Sequence, residues 1–291
     1  MLRGGSKRSR CTALQRVRGS LIAVAPALEE APFVSLGKST CYSDLRENGS
    51  GGQLDEYYFS VLFSLLDKPM VACASNRLRA AIERLAVPGI VIGHRVILSE
   101  DELALLPEEA FASDSVRSRR ASGAARIVAR ELLARAGYGI CAIPKLPSGA
   151  PIWPAEMVGS LAHDSGVAVA AVAPRGKFAN IGIDIEPAEA LPFGLLKIIA
   201  TPSEQSALTT YSYGGRLLFA AKEPVYKAVA LLDRISLNHH DVEVDFLKRK
   251  ALVRNGRTIE LRFSISTHLL ALAFVRHAPG DSPLDGRAKM L

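Results

Sequence analysis

Asn180-Ile181-Gly182-Ile183-Asp184-Ile185-Glu186 decides how the rest of this 291-residue chain is read. Ile181, Ile183 and Ile185 alternate with Gly182, Asp184 and Glu186, the period of a strand with one buried face. Both carboxylates therefore share a face, beside a glycine expected to leave room for a ligand. About forty residues on, Phe219-Ala220-Ala221-Lys222-Glu223-Pro224-Val225-Tyr226-Lys227 reads as a helix that sets Glu223 and Lys227 four residues apart on one side. Three carboxylates and a lysine are thus expected to converge on one hard cation and a phosphate.

Upstream, Val167–Ala173 and Phe178–Ile185 read as strands joined by a Pro174–Lys177 turn. Their expected pairing as a β-hairpin sets Gly166 opposite Glu186 and brings His163 near the carboxylates. A basic helix is expected over Ser115–Ala136, with Val116, Ala124, Ile127, Val128, Leu132 and Leu133 inward and Arg117, Arg119, Arg120, Arg126 and Arg130 supplying charge. One or two of these planar donor forks suit a phosphate; the plainer alternative is a solvated basic face. Arg77–Leu85 reads as a helix and Gly89–Leu98 as a strand. Gly137–Pro154 is rich in Gly and Pro and reads as a long connection.

Downstream, Thr201 fits an N-cap, Pro202 the first helical position and Glu204 the third position of a capping box, a structural signal with no chemistry assigned. The second long helix is expected over Arg216–Leu232. Two or three strands follow, at Asp241–Phe246, Thr258–Ser266 and Leu269–Arg276.

Composition narrows the partners. The formal charge of +7, from 36 Lys and Arg against 29 Asp and Glu, favours an anionic one. The basic residues lack aromatic interleaving and any nucleic-acid module, which argues against DNA or RNA. Cys11, Cys41, Cys73 and Cys141 have neither zinc-ligand nor disulfide-framework spacing, so reduced thiols in a cytoplasm are expected. No apolar run approaches a membrane span. Residues 1–75 are expected to be a weakly patterned, partly disordered extension. Its basic head and Leu21–Leu28 admit a targeting peptide as the less favoured reading. A short apolar element is expected over Leu54–Ala74.

Together, Gly159-Ser160-Leu161-Ala162-His163, Gly182-Ile183-Asp184-Ile185-Glu186 and Phe219-Ala220-Ala221-Lys222-Glu223 with Lys227 resemble the 4′-phosphopantetheinyl transferase superfamily. The type resembled is the larger monomeric one of siderophore and nonribosomal peptide synthesis. The resemblance runs from about Asn76 to Arg276 and includes Trp153-Pro154. It implies an α+β fold of two similar α/β halves packed as a pseudo-dimer. The expected divisions are 76–165 for nucleotide contacts, 166–280 for the catalytic site and 281–291 as a loose tail.

The resemblance also implies chemistry: transfer of 4′-phosphopantetheine from coenzyme A to a serine of an acidic apo carrier protein, releasing adenosine 3′,5′-bisphosphate. Asp184, Glu186 and Glu223 match magnesium ligands, and Glu223 also the general base. Lys222 and Lys227 match lysines near the pyrophosphate. Ser160 and His163 match nucleotide contacts, with His163 at the 3′-phosphate. Arg126, Lys145 and Arg119 match basic residues at that phosphate, Arg117 competing with Arg119. Four residues depart from the family pattern. Pro224 is expected to start or kink its helix, Glu156 and Ala125 stand where glycine is common, and Asp164 sets negative charge beside a phosphate contact. The rival readings are a magnesium-dependent hydrolase of nucleotide pyrophosphates and a non-catalytic coenzyme A-binding module.

Overall fold

The computed structural model describes residues 16–17, 20–21, 75–110, 115–208 and 213–277. Two compact units divide the chain at Tyr58 and Phe59. In the first, β1 (Arg16–Val17) and β2 (Ser20–Leu21) pair antiparallel. The expected element over Leu54–Ala74 and the loose tail from 281 lie outside the described residues, as do Cys11, Cys41 and Cys73; Cys141 is a free thiol.

The described residues that build the site are in the second unit. Helix α1 includes residues 75–83. Strand β3 (Val91–Val96) leads through 3-10 turns at Ser99–Ala104 and Pro107–Glu109 to helix α2 (Val116–Arg135). Ser115 caps α2 by accepting the Ser118 amide, which satisfies one of the donors a helix start leaves unpaired. Strands β4 (Met157–His163), β5 (Val167–Pro174) and β6 (Phe178–Pro187) follow. Next come helices α3 (Leu195–Ile199), α4 (Pro202–Ala207) and α5 (Gly214–Asp233). The chain closes with β7 (Val242–Asp245), β8 (Lys250–Val253), β9 (Thr258–Ile265) and β10 (His268–Arg276).

The described strands of this unit form two antiparallel sheets, ordered β3-β5-β4 and β6-β10-β9-β8-β7. This corrects the expected β5–β6 hairpin. Both edges of β5 are already taken, by β3 and β4, so the turn after Pro174 passes the chain to a new sheet whose edge strand is β6. The Gly166–Glu186 register does not form, and the chain changes sheet after 174.

Each sheet carries one 20-residue helix, α2 on the first and α5 on the second, giving an α+β fold of two helix-on-sheet halves. Val128, Leu132 and Leu133 of α2 pack on Ala170 and Val172 of β5. Leu217, Leu218, Val225 and Val229 of α5 pack over β7–β10. Ile181, Ile183 and Ile185 face the opposite way, into a core shared by both sheets with Leu270, Leu272, Phe274 and Leu85. Phe178 and Phe274 meet edge-to-face there, with centroids 6.0 Å apart.

Pro224 neither starts nor ends α5, which runs through it. Its carbonyl packs against Gly182, where a Cβ would sit 1.9 Å from that oxygen. The space beside Gly182 is therefore filled by helix backbone, not left open for a ligand as expected. Glu156 sits in a turn outside the positive-φ region, so nothing in its backbone calls for glycine.

Candidate active site

Alternation on β6 turns Asn180, Gly182, Asp184 and Glu186 toward α5, and the Gly182–Pro224 contact sets how closely the helix lies on them. Asp184 is buried. Its Oδ1 accepts from Lys227 Nζ at 2.7 Å, and the same ammonium donates to the Ile183 carbonyl at 3.0 Å. Asp184 Oδ2 is buried with no hydrogen-bond partner. Glu186 accepts from Arg216 Nη1 at 2.9 Å, and Arg216 Nη2 also reaches Glu189 at 2.9 Å. Asn180 donates to the Lys227 and Ala228 carbonyls, fastening α5 to β6 at the level of the lysine.

The three carboxylates feel one another. Burial raises the Asp184 pKa above the ordinary carboxylate value, against the pull of Lys227 and of nearby His163. Burial and the Asp184 charge raise Glu186 despite Arg216. Burial, then Asp184 and Glu186, raise Glu223, with only Lys227 opposing. Among the described residues, no three Asp, Glu, His or Cys side chains close a ready-made cation cage. Asp184 and Glu186 are instead each drawn to a cation of the protein. The orphaned Oδ2 and the mutual repulsion of three oxygen donors fit a hard divalent ion such as Mg²⁺, which takes few protein carboxylates and keeps water and phosphate in its shell.

Two cavities meet beside this cluster. One, of about 840 Å³, is lined by Arg126, Lys145, Trp153, Ser160, His163, Asn180, Tyr226 and Lys227 among others. The other, of about 930 Å³, is lined by Arg117, Ser118, Arg120, His163, Asp164 and Glu186 among others. Ser118 and His163 line both. Gly159 makes the first possible, because a Cβ there would fall 2.6 Å from the Trp153 ring. Arg126 is buried, donating to Ile143 O at 2.9 Å and Ser122 Oγ at 2.5 Å. Glu109, fully buried, accepts from Arg130 at 2.8 Å and from the Ile143 amide at 2.7 Å, and its Oε1 lies 3.8 Å from Arg126 Nε. Ala125, buried at a position where glycine is common, lines the same cavity.

Arg126, Lys145, Ser160, His163 and Lys227 are thus brought around one cavity, with Asp184, Glu186 and Glu223 coupled beside it. His163 arrives at the end of β4, not through the expected hairpin. Two residues fall elsewhere. Lys222 is fully buried on another face of α5, donating to Glu204 at 2.8 Å and to the Ile199 and His239 carbonyls at 2.7 Å each. It holds α4 and the His239–Asp241 turn onto the helix, and it is not at the pyrophosphate position expected of it. Arg119 contacts Glu102 at 3.5 Å and lines neither cavity, whereas Arg117 and Arg120 line the larger one. Arg216, not singled out from sequence, was detectable: it lies seven residues, two helical turns, before Glu223 on the same face.

Among the described residues, no helix is long and apolar enough to cross a membrane. Residues 107–173 match the 4′-phosphopantetheinyl transferase N-terminal domain, and residues 180–275 match the 4′-phosphopantetheinyl transferase superfamily. The chain is 42% identical over 151 residues to the 4′-phosphopantetheinyl transferase Npt of Nocardia iowensis, across 50% of this chain and 68% of that one. It is 36% identical over 150 residues to the 4′-phosphopantetheinyl transferase PptT of Mycobacterium tuberculosis, across 50% and 66%. Against enterobactin synthase component D of Escherichia coli it is 35% identical over 137 residues, across 44% and 64%. The matched stretch spans about two thirds of each relative's length. With the acidic strand, the α5 carboxylate and the basic cavity all inside the matched residues, the chain belongs to the 4′-phosphopantetheinyl transferase superfamily and is an enzyme of that type.

Proposed function

We propose that this enzyme transfers the 4′-phosphopantetheine arm of coenzyme A to a serine hydroxyl of an acidic apo carrier protein, releasing adenosine 3′,5′-bisphosphate. The observation that carries this reading is the buried, unpartnered Asp184 Oδ2, whose carboxylate is bonded to Lys227 of the cation-lined cavity and electrostatically coupled to Glu186 and Glu223. His163, Arg126 and Lys145 surround the 3′-phosphate, and Ser160 and Trp153 line the nucleotide's seat. Asp184, Glu186 and Glu223 would hold the divalent ion. When bound, Mg²⁺ screens the diphosphate charge that an entering oxygen must approach.

Glu223 accepts the proton of the carrier serine, directly or through one water. Its raised pKa brings it nearer the range in which a carboxylate both stays ionised and takes a proton readily. The serine oxygen bonds to the β-phosphorus of coenzyme A as the bond to the bridging oxygen breaks. The leaving 3′,5′-bisphosphate keeps that oxygen's electron pair. Lys227, held beside Asp184, donates to the leaving phosphate and stabilises its growing charge. Arg216 holds Glu186 in place. Lys222 takes no part in this chemistry. The formal charge of +7 complements acidic carrier domains and speeds their encounter. The expected compartment is the cytoplasm and the expected state a monomer.

The test is intact-mass measurement of a panel of apo carriers incubated with the enzyme, coenzyme A and Mg²⁺. One phosphopantetheine arm is expected per carrier serine, lost in Glu223→Gln and Asp184→Asn. Consumption of coenzyme A with no gain on any carrier would favour the pyrophosphate hydrolase instead.

A further inference from the structure

Asp164 was expected to set a negative charge against a phosphate. Its surroundings give that carboxylate another task. Oδ1 accepts the Gly166 and Val167 amides at 2.7 Å each, closing the turn between β4 and β5. Oδ2 lies 3.0 Å from Nε2 of His268, the first residue of β10 in the other sheet. His268 Nδ1 is in turn 3.1 Å from Thr267 Oγ1, so the ring is held from both sides. His268 stands opposite Pro187, with Leu269 opposite Glu186 and Ala271 opposite Asp184. The Asp164 side chain is 8% exposed and that of His268 20%.

We infer that Asp164 and His268 are a positioning pair that fixes His163, at the end of β4, against the β6 carboxylates. The geometry is specific to that task. The two sheets share no hydrogen-bonded ladder at this end of β4, and the residue bonded to His268 is His163's immediate neighbour. His163 lines both cavities, as Ser118 does, and of the two it is the one at the end of β4 beside Asp164, so its placement relative to Asp184 and Glu186 sets where a phosphorylated nucleotide lies relative to the acidic cluster. The pair acts through His163 and does not touch the reacting atoms. This inference rests on the transferase reading for its kinetic consequence, though not for its structural one.

Asp164→Asn keeps the oxygen that closes the turn and replaces only the one facing His268. It therefore separates two accounts by sign. If the Asp164 charge acted by repelling phosphate, Asp164→Asn would lower KM for coenzyme A. A positioning pair raises it, by about fivefold for the loss of one partly buried hydrogen bond, with kcat nearly unchanged. KM for 3′-dephospho-coenzyme A, which lacks the group His163 holds, stays close to wild type. His268→Gln has the same effect, and the double variant is no worse than the more affected single one, as coupled residues require. A fall in KM, equal losses on both substrates, or strictly additive effects would each overturn the inference.

A second measurement is independent of the reaction: the imidazole NMR resonances of His163 in the ligand-free protein. They shift in His268→Gln, which lies in the other sheet and leaves His163's sequence neighbours intact. Unmoved resonances would overturn the pair even in an active enzyme. A wild-type protein that transfers nothing would instead refute the transferase reading.

Discussion

Glu223→Gln should make the protein more stable and less active at once. Burial and the charges of Asp184 and Glu186 raise the folded-state pKa of Glu223 above its ordinary value of 4.5. A carboxyl whose folded pKa lies above its unfolded one has no effect on stability below the unfolded pKa. Its cost appears as pH rises past that value and is complete above the folded pKa. Glutamine keeps the shape and removes the charge. In EDTA, wild type and variant should melt together near pH 4 and separate as pH rises. By about pH 8, above the raised folded-state pKa, the variant should be the more stable of the two, with the gap fully open. Saturating Mg²⁺ reverses the order, because an ion at about one hundred times its Kd adds about 2.7 kcal/mol to a site that binds it, and the variant's site has lost a donor. Scanning calorimetry over pH, with and without Mg²⁺, reads all of this. A variant less stable than wild type in EDTA at pH 8, or a gap that ignores pH, would refute the reasoning.

Further outcomes follow from the same structure. Lys222→Met leaves the Glu204 carboxylate buried without its ammonium and should cost about 3–5 kcal/mol in urea unfolding; Lys227→Met, which takes the ammonium from Asp184, should cost most of the transfer rate. Gly182→Ala drives a methyl into the Pro224 carbonyl, so α5 must move off β6, with a lower melting temperature and a lower kcat. Trp153, the only tryptophan, lines the smaller cavity, so coenzyme A should change its fluorescence on titration; Gly159→Ala, which crowds its ring, should abolish that signal. His163→Ala should remove most of the discrimination between coenzyme A and its 3′-dephospho form, worth about tenfold or more for a charge-assisted contact.

Much of the second unit was legible because its periodicities are strong. Ile181, Ile183 and Ile185 define a strand by themselves. Ser115 and Thr201 mark helix starts that fold as caps in the structure. What could not be read was pairing across distance. A short turn between two apolar strands looks the same whether they form a hairpin or part into two sheets, and only the later arrival of β10 on β6, with β3 and β4 on β5, decides it. Strand β8 was missed because Lys250-Ala251-Leu252-Val253 is four residues long and has no pattern to detect.

At the site, the residues that share a face by local period were readable, and Lys222 shows the limit of that method. Adjacent residues on a helix point about 100° apart. Lys222 and Glu223 therefore face different surroundings, and the phase alone argues against both serving one phosphate. Asp164 was legible only as a stray charge, because His268, its partner, lies more than a hundred residues further along the chain.

The most direct measurement of the central claim is a Mn²⁺ titration followed by electron paramagnetic resonance, with coenzyme A present. One tightly held ion per chain is expected, with the affinity lowered at least tenfold by each of Asp184→Asn, Glu186→Gln and Glu223→Gln. Binding that is equally tight in all three variants, or more than one equivalent site, would contradict the convergence of β6 and α5 on a single ion.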